Sequence, residues 1–214
     1  MEQLILQNAE AYIQEVFRTD YSGHDVSHTM RVCRMARRLA EAEGADLFIV
    51  QLAALLHDVD DAKLSPETCA SKERAVSFMK SQGLGGDVIR QICTIIGEIA
   101  YAGRDSVVPS TIEGKCVQDA DRLDALGAVG VARAFAYGGS HGRVMHDPHE
   151  PPALDMGGEE YRRHVSTTVN HFYEKLFLLE DMMNTDAARA FARHRSRYMR
   201  DYLEEFFAEW EGDL

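Results

Sequence analysis

Two histidines and three aspartates in this chain have the chemistry to hold a metal ion: His28, the adjacent pair His57-Asp58, and Asp119 or Asp121. Imidazole mixed with carboxylate suits one divalent cation of intermediate hardness. Manganese or magnesium come first, and iron, cobalt, nickel or zinc are compatible. An ion held this way keeps positions open for water and a phosphoryl oxygen, so it can polarise phosphorus and lower the pKa of the attacking water. Asp119 and Asp121 flank Ala120, and spacing alone leaves both open. Asp124, one turn beyond Asp121, shares its helical face and is a candidate to support the ligands from behind.

Helices must bring these residues together, because apolar residues recur at helical spacing in nearly every long segment and none shows sustained strand alternation. The pattern predicts an all-α fold of orthogonally packed helices with two added helices at the C-terminal end. A first helix is expected over Glu2 to Phe17, and a second from about Asp25 to Gly44 carries His28 and Arg31. Asp46 is placed to cap a third whose body, Phe48 to Leu56, is apolar almost all round and belongs in the core. His57-Asp58-Val59-Asp60-Asp61 follows at once, a costly place for ionisable groups without a use. Further helices are expected over roughly 71–82 and 85–101. Ser110 with Glu113 has capping-box spacing ahead of the helix that carries Asp121, and Gly127 and Gly130 allow a kink beyond it. The stretch from Gly138 to Gly158 reads as a long loop able to close over substrate. Helices over about 159–183 and 186–211 finish the chain.

With 214 residues and 45% hydrophobic content, one compact domain is expected over 1–214, its catalytic core over about 20–130 and a helical extension over about 158–212. The net charge of -12 disfavours a nucleic-acid polymer as partner. A small phosphorylated substrate is compatible, because it needs only local positive charge and a bound cation supplies it. The longest apolar run is too short for a membrane span, which needs ~20 residues. Cys33, Cys69, Cys93 and Cys116 are scattered with no Cys-x-x-Cys pair or leader pattern, so reduced thiols and a cytoplasmic monomer or homodimer are expected.

Three segments carry a family likeness. Gly23-His24-Asp25-Val26-Ser27-His28-Thr29-Met30-Arg31-Val32, Leu55-Leu56-His57-Asp58 and Asp119-Ala120-Asp121-Arg122-Leu123-Asp124 resemble the motifs of the HD superfamily, within it a branch of small bacterial-type hydrolases. The resemblance implies one metal bound by His28, His57, Asp58 and Asp121, and hydrolysis of phosphate esters or anhydrides. It favours Asp121 over Asp119. It also implies acid-base work for Asp61, three positions after His57-Asp58, where some relatives have Glu, alongside Asp58 in the catalytic set. His24 and Asp25 belong to the first motif as supporting residues or pocket wall.

Around this centre, Lys63, Arg31, Glu98, Tyr101 and Lys175 are candidates to contact substrate. Glu98 and Tyr101 are expected on one face of a helix. Arg163 is a further cation that reads as a surface ion pair, and Arg122 as a structural one. The resemblance points to release of pyrophosphate from a nucleoside triphosphate. Alternatives are a phosphomonoesterase acting on nucleoside monophosphates, and a non-catalytic nucleotide-binding module. A two-iron oxygenase would need extra histidines, which only the 138–158 loop offers. Cyclic-dinucleotide hydrolysis lacks its Gly-Tyr-Pro signature.

Overall fold

The computed structural model describes residues 1–18, 25–61 and 67–214. Among them there are helices and connecting loops and no strand, so the fold is all-α. They form two compact units, 1–100 with 107–121, and 101–106 with 122–214.

The first unit is built on α3 (Leu47–Leu56), which packs against α1 (Glu2–Val16), α2 (Val26–Glu43) and α5 (Gly86–Glu98). Leu52, Leu55 and Leu56 of α3 are essentially inaccessible, and Ile13, Leu39, Ile92 and Ile95 close around them. Each such side chain stabilises the unit by about 1.5–3 kcal/mol relative to exposure. Local signals delimit these helices. The Asp25 side chain caps α2 by accepting from the His28 amide, Gly44 ends it with φ +70°, and Asp46 caps α3 through the amides of Phe48 and Ile49.

The N-terminus of α4 (Glu73–Ser81) is capped from far away. Lys72 stands at the cap position with no side-chain cap bond, and the Asp60 carboxylate instead accepts from the Arg74 and Ala75 amides at 3.2 and 2.9 Å. At α6 (Ile112–Asp124) the expected Ser110–Glu113 box gives way to Thr111, whose hydroxyl accepts from the Gly114 amide at 3.1 Å. Ser110 donates to Glu98 instead, and Glu113 accepts from the Asp46 amide.

In the second unit α7 (Gly127–Ser140) packs on α11 (Asp186–Glu211), with Phe135 against Phe172, Tyr202 and Phe206. The turn before α7 needs its glycines: Gly127 has φ +74°, and a Cβ on Gly130 would stand 2.2 Å from the Ala125 carbonyl oxygen. The single helix expected over 159–183 is instead broken into α8 (Gly158–Arg163), α9 (Thr168–His171), a π-helical turn (Phe172–Leu176) and α10 (Leu178–Asp181). Thr167 restarts the helix by capping the Asn170 amide, and polar bonds made by Ser166 and Glu174 outweigh the continuous periodicity. The segment after α7 is tied down by Thr168 and Val169 amides donating to the Val144 and Met145 carbonyls, and by Asn170 Nδ2 donating to the Glu150 carbonyl.

Candidate metal centre

His28 lies in the first turn of α2, its backbone fixed by the Asp25 cap at 2.7 Å. His57 and Asp58 follow α3 directly, so the buried helix aims them as a rigid rod would. His57 Nδ1 lies 2.8 Å from the Ala54 carbonyl. A carbonyl only accepts, so Nδ1 carries the proton and Nε2 presents a lone pair.

The ligand atoms of His28, His57 and Asp58 all fall within 4.8 Å of one another, and all three residues are buried. Asp58 Oδ2 lies 3.5 Å from His28 Nε2 and 3.2 Å from His57 Nε2. Asp121 Oδ1 lies 3.4 Å from His28 Nε2 and 3.9 Å from His57 Nε2. Asp121 keeps about a third of its side chain exposed, at 32%, which leaves the cluster an open side. Asp119, nearly 200° away around the helix, is fully buried, and its charge bears on the Cys116 thiol one turn earlier.

His57 Nε2 is buried and makes no hydrogen bond. Asp58 Oδ2 and Asp121 Oδ1 stand 3.2 and 3.9 Å from it, so a lone pair faces carboxylate oxygens. That arrangement calls for a proton or a cation at its centre. The proton response says the same. Burial would lower the His57 pKa, but the charges of Asp58 and then Asp121 raise it above the ordinary imidazole value. Burial would raise the Asp121 carboxyl, yet His28 and His57 hold it below the ordinary carboxylate range. The donor set, two imidazole nitrogens and two carboxylates, fits one divalent ion.

A family model, the HD domain, matches residues 25–126. The Bacillus subtilis protein YpgQ is 36% identical over 208 residues, which span 96% of this chain and 94% of that protein. This chain belongs to the HD superfamily. Its fold is shared with an HD-superfamily hydrolase from Bacillus thuringiensis at 40% identity and a TM-score of 0.79, covering 99% of this chain and 100% of that one. A Lactobacillus plantarum protein gives 40% identity and a TM-score of 0.86 over 96% of both chains. A crystal structure of YpgQ in complex with ADP gives 35% identity and a TM-score of 0.77, over 97% and 98%. The chain is accordingly a metal-dependent hydrolase.

The remaining candidates of this HD hydrolase divide. Asp61 is half-buried, its amide donating to the Asp58 carbonyl at 3.0 Å. Arg31 is half-buried one turn after His28. His24 and Lys63 lie outside the described residues. Glu98 and Tyr101 do not share a helical face, because α5 ends at Glu98. Glu98 accepts from the Ser110 amide and hydroxyl at 3.0 and 3.1 Å, a helix-positioning task that answers the need of the chain turning into α6. Tyr101 instead lies 4.7 Å beneath the Lys175 ammonium and packs edge-on to Tyr161. Asp124 accepts from Arg133. Arg122 is buried and donates to the Met182 carbonyl, and Arg163 pairs with Glu159 on the surface.

Sequence reasoning offers Asp60 only as a cap of the next turn, and the structure extends that role to α4, which Asp60 anchors to the turn bearing the ligands. Sequence reasoning missed Gln118, whose side-chain amide donates to the Glu98 and Val107 carbonyls at 3.0 Å each. The available signal was a weak one: Asp60 follows a fully apolar helix, where a carboxylate needs donors. No helix among the described residues is long and apolar enough to cross a membrane.

Proposed function

We propose that this hydrolase is a nucleotide pyrophosphohydrolase that cleaves the α–β anhydride of a nucleoside triphosphate. Water forms the new bond to the α phosphorus, the bridging oxygen leaves with pyrophosphate, and a nucleoside monophosphate remains. The observation that carries the reading is the buried, unpartnered Nε2 of His57 among two carboxylates and a second imidazole. The ADP complex of YpgQ supports a nucleotide ligand. In this reading His28, His57, Asp58 and Asp121 would hold one divalent ion, manganese or magnesium first, which would supply polarisation of a phosphoryl oxygen and a lowered pKa for water.

Asp61 accepts the proton of the attacking water, while Arg31 and Lys63 are the substrate contacts. Asp25 supports His28 through its amide, and His24 is a further supporting residue. The whole chain is read as one hydrolase domain acting in the cytoplasm on free nucleotides, as monomer or homodimer.

The test is product identification. Purified protein is incubated with (d)NTPs, (d)NMPs and a generic phosphomonoester over a series of divalent metals. Pyrophosphate with monophosphate is expected. Free phosphate with nucleoside overturns the reading in favour of a phosphomonoesterase. Asp61→Asn lowers kcat about 100-fold, the size of one positioned general base, and retains manganese binding. A variant with wild-type kcat removes Asp61 from the chemistry.

A further inference from the structure

The second unit holds a group of cations that the metal chemistry does not use. Lys175 lies in the π-helical turn, four residues after His171, a spacing that sets two helical side chains beside each other. Arg143 is brought to the same place by the main chain. The Thr168 and Val169 amides, at the start of α9, donate to the Val144 and Met145 carbonyls at 3.0 and 2.9 Å. The Arg143 amide donates to the Gly138 carbonyl at 2.9 Å, and Gly138 packs so closely on α9 that a Cβ there would stand 2.2 Å from the Thr168 hydroxyl.

Electrostatics place the three side chains in one neighbourhood. Burial first, and then the positive charges of Lys175 and Arg143, push the His171 pKa down to about 3. The imidazole is therefore neutral at physiological pH, and the two charges that bear on it are both positive. The carboxylate nearest in sequence, Glu174, is occupied by Ser166 Oγ, the Ala153 amide and His164.

Aromatic rings hold the cations. Lys175 Nζ lies 4.7 Å from the centroid of Tyr101 and 5.7 Å from that of Tyr161, two rings that meet edge to face at 5.0 Å. Arg143 Cζ stands 5.4 Å over Tyr137. A ring face orients a cation through its quadrupole without cancelling the charge, as a carboxylate would. Elsewhere in the unit, Arg133 and Arg163 are set against Asp124 and Glu159. Arg143, His171, Lys175 and the three tyrosines are all half-buried, so a small solute can reach the charges while packing limits their rotamers.

We propose that Arg143, His171 and Lys175 form a binding site for a phosphate-bearing anion. Two positive charges match a doubly charged phosphate better than a carboxylate. The guanidinium offers a fork to two phosphate oxygens, the ammonium a point charge, and the neutral imidazole one N–H. This chemistry is common to inorganic pyrophosphate and to the phosphate chain of a nucleotide, and every group in it belongs to the second unit.

The test is calorimetric titration of the metal-free full chain with inorganic pyrophosphate and, separately, with a nucleoside triphosphate. Saturable binding with a Kd of about 1 mM or tighter is expected for at least one of them. Lys175→Met and Arg143→Gln should each weaken it about 10-fold or more, the loss of one charge-assisted contact. Lys175→Arg and Arg143→Lys retain the charge and should stay within about 3-fold of wild type. Arg163→Ala, a surface cation outside the group, should bind as wild type does. A triphosphate held about 10-fold more tightly than pyrophosphate assigns the site to nucleotides, and the reverse order assigns it to the inorganic anion.

A wild type that saturates with neither ligand overturns the inference. So does wild-type affinity in Arg143→Gln and Lys175→Met, or an equal loss in Arg163→Ala, which would reduce the effect to general surface charge. If Lys175→Met melts early, Arg143→Gln decides by the same criterion. Because binding is measured without metal, the outcomes separate this site from the proposed reaction. Anion binding without triphosphate turnover sinks the reaction alone, and turnover in a chain that binds no anion when metal-free sinks this inference alone.

Discussion

Asp58 and Glu174 are both buried carboxylates beside a histidine, and the difference between them separates a ligand site from a clasp. Glu174, in the second unit, has its acceptors served: Ser166 Oγ donates at 2.6 Å, the Ala153 amide at 3.1 Å, and His164 Nε2 lies at 3.0 Å. Nothing more is needed there, and the carboxylate fastens the segment after α7 and the stretch before α9 to the π-helical turn. In the first unit, Asp58 and Asp121 face the imidazole Nε2 atoms of His28 and His57, the Nδ1 of His57 is engaged by the Ala54 carbonyl, and His57 Nε2 is left without a hydrogen-bond partner. A histidine next to a carboxylate is therefore no sign of a metal. The diagnostic is a surplus of acceptors over donors in a buried place.

That contrast can be broken most directly at its two carboxylates. Asp58→Ala should reduce hydrolysis by at least about 10³-fold and abolish the manganese-induced rise in melting temperature, since a metal supplies several kcal/mol of transition-state stabilisation. Full activity in that variant would remove the metal assignment. Glu174→Ala should do the opposite, costing about 3 kcal/mol in urea denaturation of the metal-free chain while manganese affinity is retained, because it strands buried donors. An unchanged denaturation midpoint would show that the clasp contributes nothing.

A pH series sharpens the comparison further. His57 has a raised folded pKa, so its contribution to metal-free stability is fully present below the ordinary value of 6.5 and is lost as pH rises through the raised value. Asp121 has a lowered one, so its contribution is present above 3.8 and lost as pH falls through the folded value. The cluster then stabilises the metal-free chain most between about pH 4 and 6.5. Manganese competes with the same proton, so its affinity should climb with pH above 6.5. Thermal melts across pH with and without manganese measure both, and a flat affinity above that value would contradict the proton-holding cluster. The smallest effect belongs to Arg163→Ala. Its partner Glu159 and Arg163 itself are 72% and 79% exposed, and the change should move stability by less than about 0.5 kcal/mol. A larger loss on denaturation would assign the pair a buried role.

Much of this was legible along the chain. Apolar periodicity located α1, α2 and α3 to within a residue or two, and Asp25, Gly44 and Asp46 marked their ends, because capping is a matter of three or four adjacent residues. The same periodicity failed over 159–183, where burial of Glu174 and capping by Thr167 interrupt what reads as one helix. The same pattern groups Glu98 with Tyr101 on a helix that ends between them.

The sequence by itself determined the all-α character, the placement of His57-Asp58 at the end of a fully apolar helix, and the HD family likeness. Each follows from residues near one another or from a motif. Tertiary structure alone brought Asp121 beside His28 and His57 and turned Asp119 inward, since helix phase acquires meaning only against a neighbour. It also made Asp60 the cap of a helix thirteen residues downstream, and served Glu174 while leaving His57 Nε2 bare. Whether a buried polar group is satisfied depends on donors from distant segments, and no local pattern records which of them arrive.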